Sequence, residues 1–127
     1  MNKGPSELVT MTVLRGRSCE LLGQHVGGSG SDGGYFLLGL CSLLDALLGL
    51  PMAEVVKELP LEDDLREALL GTVNRPRQVL DAVVHYEKGH WLEAAALEST
   101  LDLPDDALAM AYADALAWTR KLTSGAA

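Results

Sequence analysis

YFLLGLCSLLDALLGL, residues Tyr35–Leu50, is the longest apolar stretch of the chain at 16 residues. A bilayer span needs about 20 such residues, so the stretch reads as a helix buried in protein. It is apolar nearly all round, which fits a helix surrounded by others. Its least bulky face carries Gly39, Ser42, Ala46 and Gly49 at helical spacing. Such a face lets a neighbouring backbone approach closely. One serine and one aspartate, Ser42 and Asp45, interrupt the run, and the functional reading turns on what they do.

Outward from this core helix, everything reads as helices punctuated by glycine and proline. No segment alternates with period two over a useful length, so no strands are expected. A first helix is expected over Pro5–Val26, with Ser6 as N-cap and Gly27 just past its end. Met11, Leu14, Ser18, Leu21 and Leu22 form its small and apolar stripe, with Arg15 and Arg17 away from most of it. GGSGSDGG, Gly27–Gly34, is a flexible joint, and Asp32 caps the second helix, which runs from about Gly33 to Leu48. Five more follow, at about Pro51–Glu58, Glu62–Leu70, Asn74 or Pro76 to Lys88, Trp91–Thr100, and Pro104–Thr123. The last carries a stripe of Leu108, Ala111, Ala115, Trp118 and Leu122. Seven helices with short joints imply a compact all-α bundle forming a single domain over residues 1–127.

The 127 residues are 48% hydrophobic but only 5% aromatic, so Leu, Val, Ala and Met must build the core. A net charge of −8 repels phosphate backbones and anionic lipid, which argues against nucleic-acid and membrane partners. The first ten residues lack the apolar segment of a signal peptide. Cys19 and Cys41 fall in apolar helical patterns without metal-ligand spacing, as expected of buried thiols in a reducing cytoplasm.

Few residues suggest chemistry. Gly28-x-Gly30-x-x-Gly33 has the dinucleotide-binding spacing, but that motif needs a strand before it, and here a helix precedes it. His25 stands alone at a helix end. His85 follows Asp81 by four residues, which reads as a surface ion pair or as half of a metal site. Glu62-Asp63-Asp64 and Asp105-Asp106 sit in expected first turns, where carboxylates suit the helix dipole. Neither Ser42 nor Cys41 has a histidine near it in sequence, so inert packing is the expected role of both. No cofactor is expected.

Three separated runs, in order, carry a family likeness. Tyr35–Leu70 (YFLLGLCSLLDALLGLPMAEVVKELPLEDDLREALL), His85–Trp91 (HYEKGHW) and Ala111–Leu122 (AYADALAWTRKL) resemble the C-terminal part of the HDOD domain, the HD-related output domain. The nearest likeness is to bacterial proteins that join it to an EAL cyclic-di-GMP phosphodiesterase domain. HDOD domains are related to HD-type metal phosphohydrolases, whose equivalent helix reads G-L-L-H-D-I-G and binds metal through its His and Asp. Laid over this chain from Gly39, that motif puts Ser42 at the His position and Leu43 at the Asp position. Asp45 falls two places beyond, turned to another side of the helix. The resemblance therefore implies a module that has kept the fold and lost the metal site.

What the resemblance implies is a cytoplasmic, non-catalytic signalling domain acting through protein contacts, with an attached EAL-type domain as partner. Against that pattern the chain reads as truncated on its N-terminal side, either an excised fragment or a short relative, and a homodimer through exposed apolar surface is an expectation. Arg15, Arg17, Arg75 and Arg77 are the basic groups that could meet an acidic partner. The alternatives are a degenerate metal-dependent phosphohydrolase and a small-molecule sensor with an apolar pocket between helices.

Overall fold

The computed structural model describes residues 5–27 and 33–124, and the side chains of residues 7–27 and 33–122. Among them are eight α-helices, one 3-10 turn and no strand. The helices are α1 (Pro5–Val26), α2 (Gly34–Cys41), α3 (Leu44–Leu48), α4 (Met52–Val55), α5 (Asp63–Leu69), α6 (Arg75–Glu87), α7 (Trp91–Thr100) and α8 (Ala107–Ser124), with the 3-10 turn at Val56–Glu58. The expected all-α bundle is the observed architecture. The expected caps Ser6 and Asp32, and most of the glycine joint, lie outside the described side chains. Gly28 and Gly30 lie outside the described residues, and what precedes them is the helix α1, where the nucleotide-binding motif requires a strand.

The main departure is in the opening stretch, which forms two helices instead of one. Ser42 N–H still donates within α2, to Leu38 O at 3.1 Å and Gly39 O at 3.3 Å. Its hydroxyl, however, donates back to Gly39 O at 2.7 Å. Such back-bonding competes with the helical ladder. Leu43 leaves helical geometry at φ −112°, ψ 3°, and the helix restarts with Leu47 N–H donating to Leu43 O. After the break the small-residue face no longer points at a neighbour: Ala46 and Gly49 are exposed. Gly49, at φ 68°, closes α3.

Before the break the close approach is real. A Cβ at Gly39 would lie 2.6 Å from Arg15 O and 2.7 Å from Gly16 Cα. Across the same crossing, a Cβ at Gly16 would lie 3.0 Å from Phe36 O. Backbone meets backbone here, so neither side can yield by changing a rotamer. Cys19, Leu22, Tyr35 and Leu38 bury completely or nearly so at this crossing and extend into a core with Leu65, Val79, Val83 and Leu108.

Helix α6 is the second axis of the bundle and touches α1, α2, α5, α7 and α8. Asn74 starts it, accepting Arg77 N–H at 2.9 Å on its side chain while donating to Asp64 O at 2.9 Å. Helix α8 is capped from a distance: Glu98 of α7 accepts Leu108 N–H at 2.9 Å. The buried stripe of α8 is Leu108, Ala111, Ala115 and Thr119; Trp118 is half-buried, and Leu122 is 50% exposed, contrary to expectation.

Gly39→Ala is expected to destabilise the fold by about 1–3 kcal/mol, the usual penalty of overpacking against parts that cannot move. Urea unfolding measures it. An unchanged midpoint would contradict the close crossing.

Candidate functional site

The first helix buries a different face from the one its apolar residues mark. Thr12, Arg15, Ser18, Cys19 and Leu22 are buried, whereas Met11, Leu14 and Leu21 are only partly covered. Arg15 therefore sits at the centre of the buried face, 8% exposed. This corrects its assignment to an interaction surface.

Each of its three nitrogens donates a hydrogen bond. Nε donates to Glu87 Oε2 at 3.1 Å and Nη2 to Glu87 Oε1 at 2.7 Å, a bidentate pair joining α1 to the last turn of α6. Nη1 donates to Ser42 Oγ at 3.1 Å. Ser42 Oγ passes a hydrogen bond on to Gly39 O at 2.7 Å. Three segments of chain thus meet on one planar cation. The fork geometry of arginine suits this, since two parallel N–H groups match a carboxylate and a third is left for the hydroxyl.

Ser42 is the position at which the family likeness places a histidine ligand, and the neighbour it holds is a cation of the protein's own. Its hydroxyl accepts from that cation and gives its proton to a carbonyl. A nucleophilic serine needs a base to take that proton, and neither partner is one. Leu43, half-buried at the helix break, offers only hydrocarbon. Asp45 accepts Ala46 N–H at 2.8 Å at the start of α3.

Two further ionisable groups lie in the field of the pair. Cys19 is one turn beyond Arg15 and wholly buried. Desolvation pushes its thiol far above the ordinary range, with Arg15 opposing and Glu87 assisting. Tyr112 of α8 is raised by burial first, then by Glu87 and Tyr86, with Arg15 opposing. Cys41 is raised by burial alone. Both cysteines are buried, as expected, and the raised thiol of Cys41 suits the inert packing expected of it.

The remaining basic residues divide. Arg17 pairs with Glu20 at 2.8 Å and lies over the Trp118 ring, 5.2 Å from its centroid. Arg77 donates to Asp81 at 3.1 Å and to Ala68 O at 2.8 Å. Arg75 is exposed. Because Arg77 takes Asp81, the expected Asp81–His85 pair does not form. His85 instead meets His90, with Nδ1 to Nδ1 at 3.0 Å. Next to them Tyr86 packs on Trp91 and Tyr112. HYEKGHW thus folds as one tight junction from α6 into α7, with consecutive residues facing His90, an aromatic cluster, and Arg15.

No family model matches the chain, and no solved structure matches it. Among curated proteins it is 34% identical over 116 residues to the uncharacterized protein YuxH of Bacillus subtilis, covering 91% of this chain and 28% of that protein. It is 34% identical over 106 residues to the cyclic di-GMP phosphodiesterase CdgJ of Vibrio cholerae, covering 82% of this chain and 24% of that enzyme. The chain therefore spans about a quarter of the length of these relatives. Among the described residues, no helix is long and apolar enough to cross a membrane, and no three His, Cys, Asp or Glu side chains converge as a metal cage.

Arg15→Met is expected to cost about 3–5 kcal/mol, because it strands the Glu87 carboxylate in the interior. Arg15→Met combined with Glu87→Leu should recover most of that loss, since the unpaired charge is gone. Chemical denaturation of the single and double variants reads this coupling. Additive losses would contradict the pair.

Iodoacetamide at about pH 8 should label neither cysteine in the folded protein, and both in urea, because only the thiolate reacts. The sign for stability follows. A thiol raised on folding holds its proton when the unfolded chain has lost it, so stability is full below about pH 8.5 and falls as pH rises above it. Rapid labelling of Cys19 in the folded state would contradict its burial.

Proposed function

We propose that the chain is an HDOD-like regulatory module of a cyclic-di-GMP-linked signalling protein, acting through protein contacts and carrying no catalysis of its own. The observation that carries the reading is the Arg15 guanidinium on Ser42. In the HD-type phosphohydrolases to which HDOD domains are related, the position that aligns with Ser42 is a metal ligand; here Ser42 instead accepts from a guanidinium that Glu87 neutralises. Placing a divalent ion beside that guanidinium would cost Coulomb repulsion in a poorly solvated site. Without the ion, no water is activated for attack on a phosphate ester. The similarity to CdgJ supports the link to cyclic-di-GMP, and it is confined to a quarter of that enzyme.

A rigid, closed junction also suits transmission. Arg15, Ser42 and Glu87 tie α1, the α2–α3 break and α6 together. A partner that favours one packing of these helices would move all three. An attached or associated EAL-type phosphodiesterase domain is the proposed partner, in the cytoplasm where its substrate is made. Of the four arginines that the sequence singled out, Arg75 is the exposed one, available for an acidic contact.

Two assays test this. The purified chain, supplied with Mn(II) or Fe(II), is expected neither to hydrolyse cyclic-di-GMP nor to retain these metals at one equivalent. Turnover that disappears in Ser42→Ala would overturn the non-catalytic reading in favour of a degenerate phosphohydrolase. Added to an EAL-type phosphodiesterase domain, the chain is expected to change its rate several-fold. An unchanged rate would remove the regulatory half of the proposal.

A further inference from the structure

Helix α7 carries apolar residues on two opposite faces. Ala94, Leu97 and, at the C-cap, Leu101 turn to the core. Leu92, Ala95, Ala96 and Ser99, at i, i+3, i+4 and i+7, form the other face and are all exposed, Leu92 by 85%. Trp91 beside them is 62% exposed. A helix that is apolar on both sides belongs between two layers, and the described residues cover one side alone. At the C-terminal end of α7 the outer face runs into a hollow of about 370 Å³, whose lining includes Ala95, Glu98, Ser99, Asp102 and Asp105. Among the described residues, no three carboxylates or other ligands converge as a metal cage. Glu98 spends Oε2 on Leu108 N–H at 2.9 Å, which leaves Oε1 for a second donor. Asp102, at φ 59°, and Asp105 are exposed. Such a hollow suits a flat apolar body with an N–H group, accompanied by a cation. The opposite end of α7 presents both, in Trp91 and the exposed Lys88.

We infer that two copies of the chain pair through α7, antiparallel about a two-fold axis, each bringing Trp91 and Lys88 to the partner's acidic hollow. The register follows from side-chain size. With Ala95 set against the partner's Ala96, Leu92 falls on the partner's Ser99, so a large side chain meets small ones and the helices approach closely. The same register sets the turn at Lys88 and Gly89 against the partner's Asp102. Trp91 and Glu98 are seven residues apart and share one flank of the helix, and in an antiparallel two-fold pair that flank meets itself. The indole N–H then finds the partner's Glu98 Oε1, and the Lys88 ammonium finds the partner's Asp102 and the partner's Asp105. One cation in each hollow offsets, at the point of contact, the repulsion between two chains of net charge −8. Because the same patch serves on both chains, the contact closes as a dimer and does not propagate. Trp91 is its anchor, in keeping with the weight tryptophan carries at interface centres. The pairing makes no use of Arg15, Ser42 or Glu87, so it stands or falls apart from the regulatory reading.

Sedimentation velocity of the purified chain, from micromolar to submillimolar concentration, tests it. The expected species at the upper end has twice the 13.5 kDa mass of one chain. Leu92→Glu should leave a monomer throughout. Lys88→Glu should weaken association about tenfold, and adding Asp105→Lys to it should restore most of the loss, since each hollow then meets the opposite sign. Val9→Glu, at a 51% exposed position on α1, should associate as the wild type does. All of these positions are exposed, so the folds are expected to hold, which thermal unfolding verifies. A wild type that stays monomeric would assign the face to a different protein and overturn the dimer. A dimer that survives Leu92→Glu would overturn the surface.

Discussion

A guanidinium inside a helical bundle must find acceptors for its N–H groups, because burying a charge unpaired costs several kcal/mol. Arg15 meets that requirement only if the last turn of α6 and the end of α2 both come to it. The glycine crossing makes this feasible. With no Cβ at Gly39, α2 lies against the backbone of Arg15 itself, which brings the Ser42 hydroxyl within reach of Nη1. The back-bond from Ser42 to Gly39 O then accompanies the break that divides α2 from α3. Packing, helix breakage and charge pairing are three aspects of one junction.

That junction also decides what chemistry is open to the protein. A hydroxyl between a cation and a carbonyl has neither a base to activate it nor the charge to hold a metal. The nearby thiol and phenol are held protonated by burial. This is the environment of a structural clasp, and the proposed signalling role uses it as such.

Much of the fold was legible from spacing alone. The apolar stretch, the prolines and the glycines place most helix boundaries within a few residues, and Trp91–Thr100 falls where expected. What escaped were features that depend on contacts remote in sequence. Arg15 looked like a surface residue because arginine usually is one; only Glu87, 72 residues away, makes its burial tolerable. A signal was present nonetheless: Thr12, Arg15, Cys19 and Leu22 share a helical face, and an arginine among small and apolar neighbours implies a buried partner. The break at Ser42 was hidden because a serine interrupts a helix only when its hydroxyl turns back on the ladder. Asp81 offered His85 a partner at ideal helical spacing, but Arg77, equally close on the other side, took it. Ser42 and Leu43 were singled out by resemblance; what stands next to Ser42 was not readable without the fold.

The most direct test of the central claim is a high-resolution crystal structure of the protein grown with Mn(II), with anomalous data collected for manganese. The account predicts continuous density for the Arg15 guanidinium bridging Glu87 and Ser42, with no manganese peak beside it. A manganese ion coordinated at Ser42, with Arg15 turned away from Glu87, would contradict it.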